Sequence, residues 1–259
     1  MTKVLITGAS TGIGRELALA WASRGATVVL SARSANALEE VAREVRARGG
    51  TPVVVPGDVT DAAYRRHLVE TATASRLDVL VNNAGRGYYA SALAVDLAEL
   101  RALFELNVFA PLELAQLAAP ALGASGGTIV MLSSVAGIVA APHYSAYSAT
   151  KFALEAISMA MRAELAPRGV RLLVVRPGPV ATPFRANAAR GRGETFYSRP
   201  DPRSQAPEAV AARILRAVDR GRDIDETSAF VKATSAAARL SPALLRFAFQ
   251  RMAKRPPQP

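Results

Sequence analysis

Residues 4–21 constrain the fold more than any other stretch of the chain. Val4-Leu5-Ile6 is a short apolar run of strand-forming type. Thr7-Gly8-Ala9-Ser10-Thr11-Gly12-Ile13-Gly14 follows it, and Arg15-Glu16-Leu17-Ala18-Leu19-Ala20-Trp21 then reads as a helix. Strand, glycine turn and helix in that order suit a dinucleotide. The glycines let the backbone turn tightly, approach a pyrophosphate and pack helix against strand. The helix N-terminus adds unpaired N–H groups and the positive end of a dipole. The spacing is G-x3-G-x-G rather than the commoner G-x-G-x-x-G, so the placement of the turn carries more weight than its letters.

The same alternation continues along the chain. Strands are predicted near 3–7, 26–31, 51–55, 77–81, 127–132, 170–176 and 228–232. Helices are predicted near 12–24, 35–48, 61–74, 96–121, 145–166 and 207–220. Runs such as Val79-Leu80-Val81 and Leu172-Leu173-Val174-Val175 are apolar on both faces, as strands of a covered parallel sheet are. Strand–helix alternation predicts an α/β, doubly wound fold: a single Rossmann-type domain with a seven-stranded parallel sheet and helices on both faces. A chain of 259 residues, half of them hydrophobic, can bury one large core of this kind.

Tyr147-Ser148-Ala149-Thr150-Lys151 supplies a candidate for chemistry. On a helix Tyr147 and Lys151 stand at i and i+4 and share a face. A phenol ionises near pH ~10, and a nearby ammonium draws that value down. The pair therefore reads as a tuned general acid/base. Ser134, thirteen positions upstream of Tyr147, can hydrogen-bond a substrate oxygen if the fold brings it close.

Taken together, the motifs resemble those of the short-chain dehydrogenase/reductase family. They are TGASTGIG at Thr7–Gly14, Asp58-Val59-Thr60, Asn82-Asn83-Ala84-Gly85, Asn107, Ser133-Ser134, Tyr147 with Lys151, and Pro177-Gly178. All stand in the family's order and spacing. The resemblance is strong over residues 1–185 and weak beyond.

The resemblance implies an oxidoreductase that moves a hydride between a nicotinamide and a carbonyl or secondary alcohol, without a metal. It assigns Asn107, Ser134, Tyr147 and Lys151 to catalysis. Asn107 would kink its helix and hold a water that relays protons to Lys151. The cofactor set is Gly8, Ser10, Thr11, Gly12, Ile13 and Gly14 at the phosphates, Asp58 and Val59 at the adenine, and Asn83, Ala84 and Gly85 at the adenosine ribose. Tyr147 and Lys151 approach the nicotinamide ribose, and Pro177, Gly178, Val180 and Thr182 approach the nicotinamide. Strand two ends Ser31-Ala32-Arg33. Ala32 stands where the family's NAD-type acid falls, and a guanidinium at Arg33 can grip a 2′-phosphate in bidentate fashion. NADP(H) is therefore the expected cofactor, with Ser31 or Ser34 as helpers. The family's habits also imply a homodimer or homotetramer built on helices 96–121 and 145–166. A 3-oxoacyl-carrier or CoA reductase and a non-enzymatic NADP(H) sensor or scaffold stand as alternatives.

Residues 183–206 form the family's substrate lid, and here they carry five arginines against Glu194 and Asp201. Such a basic lid suits an acidic substrate. However, only four of the chain's 32 basic residues are lysine, and an arginine-rich composition explains both the lid and the net charge of +11 more simply. No base-reading module accompanies that charge, so no nucleic-acid partner is expected. With no cysteine, thiol catalysis, disulfides and metal thiolates are excluded. His143 reads as a packing or substrate-side residue and His67 as a surface one. Met1-Thr2-Lys3 leads straight into the first strand, so no signal peptide is expected and the location is expected to be cytoplasmic. Leu114–Thr150 lacks charge, but Pro120, Gly123, Gly126 and Gly127 interrupt it, which argues against a membrane span. The domain is expected to end near 235. In 236–259 Leu244, Leu245, Phe247, Ala248, Phe249 and Met252 fall on one arc, opposite Arg246, Gln250 and Lys254. This basic amphipathic helix packs over the pocket or a partner subunit, or, as the lesser alternative, lies on an anionic membrane surface.

Overall fold

A computed structural model describes residues 1–191, 201–241, 243, 247 and 249–251. The first half alternates β1 (Lys3–Thr7), α1 (Gly12–Ala22), β2 (Thr27–Ala32), α2 (Ala35–Ala47), β3 (Thr51–Pro56), α3 (Ala62–Thr73) and β4 (Val79–Asn82). A two-residue strand β5 (Tyr88–Tyr89) precedes α4 (Leu97–Phe104), a π-helical turn over Glu105–Phe109, and α5 (Ala110–Ser125). There follow β6 (Thr128–Leu132), α6 (Ser145–Leu165), β7 (Arg171–Arg176), β8 (Ala189–Arg190), α7 (Pro207–Asp219), β9 (Ile224–Glu226) and α8 (Ala229–Leu240).

Seven strands form one parallel sheet in the order β3-β2-β1-β4-β6-β7-β9. The chain leaves β1 toward β2 and β3, then crosses to β4, so the order reverses between β1 and β4. Ligands of open α/β sheets bind at such a reversal, outside the carboxyl ends of the strands. Strand alternation divides the core. Val4, Ile6, Val28, Leu30, Val81 and Val130 pack with α1, α2 and α7. Leu5, Val29, Leu80, Ile129, Met131 and Leu172 pack with α3, α5 and α6 on the other face.

The seventh strand differs from expectation. It is Ile224–Glu226, and the predicted strand 228–232 is instead the start of α8. Ser228 caps that helix, its hydroxyl accepting from the Val231 N–H at 3.3 Å. The true strand was masked by its charge: Asp225 is 1% exposed and survives burial only because Arg213 and Arg222 donate to it. Because α8 runs to Leu240, a boundary at 235 would cut a helix. The predicted helix 96–121 also differs. It is interrupted by the π turn, then runs through Pro120 and Gly123 to Ser125. Leu97–Ser125 is long and apolar enough to cross a membrane by composition, but its inner face belongs to the core beneath β4 and β6. Of the C-terminal arc, Leu244, Leu245, Arg246, Ala248, Met252 and Lys254 lie outside the described residues, as do Arg192, Glu194 and Arg199 of the lid.

Candidate active site

The glycine turn leaves β1 as expected. Gly8 has φ +65°, and a β-carbon on Gly14 would collide with the Gly8 carbonyl. No larger residue fits either place without moving backbone. Thr11, the N-cap of α1, is extended and makes no side-chain cap bond, and the first helical turn holds no acid. The N–H groups of Gly12, Ile13 and Gly14 thus have no capping partner, a ready anion site. Ser10 lies on the same turn. A β-carbon on Gly12 would sit 3.0 Å from Thr182 Cγ2, so the segment after β7 closes on the turn from above, with Val180 bridging to Gln205 beside it.

Asn83 builds the next wall. Its amide donates to the carbonyls of Thr7 (2.9 Å) and Gly8 (3.1 Å), while Thr7 Oγ1 accepts from the N–H groups of Asn83 and Ala84 at 3.0 Å each. Asn83 therefore holds the glycine turn against β4, as well as bordering the crevice. Asp58 accepts from the N–H and hydroxyl of Thr60 at 2.9 Å, which fixes Val59 as a buried edge. Arg33 is exposed at the end of β2, free to meet a phosphate. Ser34 is spent capping α2, accepting from Ala37 N–H. Ser31 fails as a phosphate helper: it is 0% exposed, and its hydroxyl is 2.8 Å from that of Tyr64. A strand-two serine pointing into the core cannot reach a ligand at the surface.

Ser134, Tyr147 and Lys151 come together at the carboxyl ends of β6 and β7. Ser134 is extended and caps a short turn, accepting from Ala136 N–H at 3.1 Å. Its hydroxyl faces the Tyr147 phenol closely enough to lower that group's pKa. Tyr147 and Lys151 share one face of α6, with the ammonium 5.8 Å from the phenol ring centre. Lys151 is 6% exposed and donates to the Leu132 carbonyl at 2.7 Å. The expected downward pull on the phenol is outweighed. Burial pushes the Tyr147 phenol above its ordinary value, against the Ser134 hydroxyl that lowers it. Burial likewise draws Lys151 down to about 8, against the Glu155 carboxylate that raises it. Desolvation penalises whichever form is charged, and both groups are deep.

Asn107 lies in the π turn, 1% exposed. Its Oδ1 accepts from Arg86 N–H at 3.1 Å, and its Nδ2 donates to the Arg86 carbonyl (3.0 Å) and to Thr150 Oγ1 (3.1 Å). The expected kink is thus a π bulge, and the side chain ties the segment after β4 to α6. Pro177 and Gly178 follow β7 beside Ser134: Val135 N–H donates to the Pro177 carbonyl at 2.9 Å.

The sequence reading missed an aromatic wall. Tyr144 stands edge-on to Tyr147 at 6.0 Å, and Phe184 of the lid tilts over Tyr147 at 5.7 Å. Tyr89 meets Tyr144 edge-on at 5.4 Å and stacks on His143 at 5.3 Å. His143 holds φ +64°, uncommon for a residue with a side chain, and its carbonyl accepts from Ala90 N–H at 2.9 Å. The pairing of β5 with β8 brings Tyr89 and the lid together, a long-range contact with no local signal. A cavity of about 790 Å³ lies behind this wall, lined by residues including Ile138, Val139, His143, Phe152 and Phe249. It touches none of Ser134, Tyr147 or Lys151, so the crevice at the strand ends, not this cavity, is the candidate site. His67 is exposed on α3.

Comparison with known proteins agrees with this arrangement. The family described as short chain dehydrogenase matches residues 2–193. An uncharacterised oxidoreductase of Methylorubrum extorquens is 43% identical over 181 residues, 69% of this chain and 73% of that protein. Dehydrogenase/reductase SDR family member 7B of Danio rerio is 35% identical over 226 residues, covering 83% of this chain and 73% of its own. A short-chain dehydrogenase from Sphingobium yanoikuyae in complex with NADPH superposes with a TM-score of 0.79 at 28% identity, over 100% of this chain and 98% of that one. With the fold, the crevice and these likenesses in agreement, the chain belongs to the short-chain dehydrogenase/reductase family of oxidoreductases.

Proposed function

We propose that the protein is an NADP(H)-dependent reductase or dehydrogenase acting on a carbonyl or secondary alcohol, with Tyr147 as its general acid/base. The observation that carries this reading is the placing of Tyr147 beside Lys151 on one face of α6, with the Ser134 hydroxyl close enough to lower the phenol pKa. NADP(H), when bound, supplies the hydride. The uncapped N-terminus of α1 and the Gly8–Gly14 cradle fit its pyrophosphate, and exposed Arg33 fits a 2′-phosphate; the NADPH complex of the Sphingobium enzyme supports the choice. Ser134 and Tyr147 hold the substrate oxygen. At neutral pH Tyr147 is a neutral phenol, because burial raises its pKa, so it is ready to donate a proton to that oxygen during reduction. The positive charge on Lys151 stabilises the phenolate that forms. Asn107 fixes the floor beneath Lys151 from the π turn.

Tyr89, Tyr144 and Phe184 make the substrate side aromatic, which supports an apolar carbonyl compound. Phe109, Phe152 and Met159 stand exposed on the π turn and α6; they support self-association through these helices, which light scattering measures. The deciding experiment follows NADPH oxidation against a panel of ketones and aldehydes, with Tyr147→Phe alongside. Turnover in the native protein and its loss, by at least ~10²-fold, in the variant with NADPH still bound is the expected result. NADPH binding without turnover on any substrate, in either direction, would favour a sensor instead.

A further inference from the structure

One buried ionic group lies directly behind the candidate catalytic residues. Arg176 is the last residue of β7 and is 7% exposed. Its Nε and one terminal nitrogen donate to the two carboxylate oxygens of Glu155, both at 2.9 Å. Its other terminal nitrogen donates to Glu226 of β9 at 3.2 Å, and Ser235 of α8 closes the group by donating to the same Glu226 oxygen.

Glu155 and Arg176 each adjoin candidate site residues. Glu155 is one helical turn beyond Lys151 on α6. Arg176 immediately precedes Pro177 and Gly178, and the Pro177 carbonyl accepts from the residue after Ser134. Gly137 lets these parts meet: a β-carbon there would lie 3.0 Å from Glu155 Cγ, 3.1 Å from the Lys151 carbonyl and 2.7 Å from Ser133 Oγ. A bidentate guanidinium–carboxylate pair has fixed geometry as well as charge, and inside the protein it is poorly screened. We propose that Glu155, clamped by Arg176, is a positioning residue for Lys151 that locks α6 to the strand end bearing Pro177 and Gly178. The proposal rests on the role given above to Lys151.

The groups around Lys151 leave Glu155 as the charge that acts on it. From β6 it meets the Leu132 carbonyl. Gly85, after β4, faces both the Lys151 ammonium and Asn107 Oδ1 of the π turn. Tyr147 flanks it on its own helix. Arg86 is paired to Glu99, and Arg176 is held by Glu155 and Glu226. Removing the Glu155 carboxylate withdraws support for the ammonium. Removing the Arg176 guanidinium leaves that carboxylate unopposed and strengthens the support. The two substitutions therefore shift Lys151 in opposite directions, whereas a purely structural pair would shift stability alone.

The chain has four lysines, so 13Cε-lysine labelling gives four side-chain resonances, with Lys151→Arg assigning the one of interest. Titration needs neither cofactor nor substrate. The expected result is a midpoint about one unit lower in Glu155→Gln and higher in Arg176→Met, with Arg176→Lys between Arg176→Met and the native protein. The high-pH limb of kcat/KM for NADPH-dependent reduction should move the same way in each variant. An unchanged or equally shifted midpoint in folded Glu155→Gln and Arg176→Met protein would overturn the proposal. If Glu155→Gln fails to fold, an unchanged midpoint in Arg176→Met overturns it alone. A native protein without turnover would refute the enzymatic reading, while the lysine titration would still decide the clamp.

Discussion

Arg33 lies two residues beyond Ser31, and it is the end of β2 at Ala32 that gives them different fates. Ser31 points into the core and bonds Tyr64, while Arg33 stands in solvent past the strand end. Discrimination between cofactors is therefore expected to rest on Arg33 alone. Losing one charge-assisted phosphate contact costs ~1.5–3 kcal/mol, so Arg33→Ala should weaken NADPH about 10- to 100-fold and leave NADH nearly unchanged. Fluorescence titration with both nucleotides reads this directly; equal losses for the two would reassign Arg33 to a general structural role.

At the scale of elements, the π turn over Glu105–Phe109 carries most of the consequence. An ordinary α-helix here would rotate Asn107 away from Arg86. The extra residue per turn, a device often found at functional sites, aims its amide at the segment after β4 and at Thr150 on α6. The turn is itself anchored, since buried Arg65 donates to Glu105 at 3.0 Å and to the Val59 carbonyl at 2.8 Å. Asn107→Ala would leave the half-buried N–H and C=O of Arg86 without their partner. Each orphaned group costs ~1–3 kcal/mol when buried; with both only half-buried, the lower part of that range applies and a loss of roughly 2–4 kcal/mol is expected in urea unfolding. Asn107→Asp sets a buried carboxylate oxygen against the Arg86 carbonyl, so it should cost at least as much as Asn107→Ala.

For the whole molecule, the buried site couples folding to pH. Unfolded, Lys151 titrates near its ordinary 10.5; folded, it titrates near 8. Between these values the unfolded chain holds the extra proton, so this group makes stability rise with pH from about 8 to about 10.5. Tyr147 acts oppositely. Its folded pKa lies above the ordinary 10.0, so above pH 10 the unfolded chain releases a proton that the folded one keeps, and stability falls. Comparing the native protein with Lys151→Met over pH 7–11 isolates the lysine. The native protein should gain stability relative to Lys151→Met with rising pH through the 8 to 10.5 window; a constant difference would mean Lys151 is not desolvated in solution.

The fold class, and the strand ends that bear the candidate residues, were legible in the sequence because they depend on local pattern. Apolar runs alternating with helical periodicity dictate a covered parallel sheet, and the motifs at Gly8, Asp58, Asn83, Ser134 and Pro177 each follow a strand. Long-range arrangement was not legible. Ile224–Glu226 hid as a strand because Asp225 needs Arg213 and Arg222 to be buried at all, whereas Ser228–Lys232 looked strand-like until a serine cap made it helical. The aromatic wall needs β5 to pair with β8, a hundred residues apart in the chain. Glu155 was visible as the i+4 neighbour of Lys151, but its partner Arg176 belongs to another strand. Above all, the sign of the Tyr147 shift depended on depth. Proximity of an ammonium lowers a phenol pKa and burial raises it, and spacing along a helix reports only the first. Sequence determined which groups are present and which strand ends bear them; tertiary packing decided how far from water they stand, and with that their protonation.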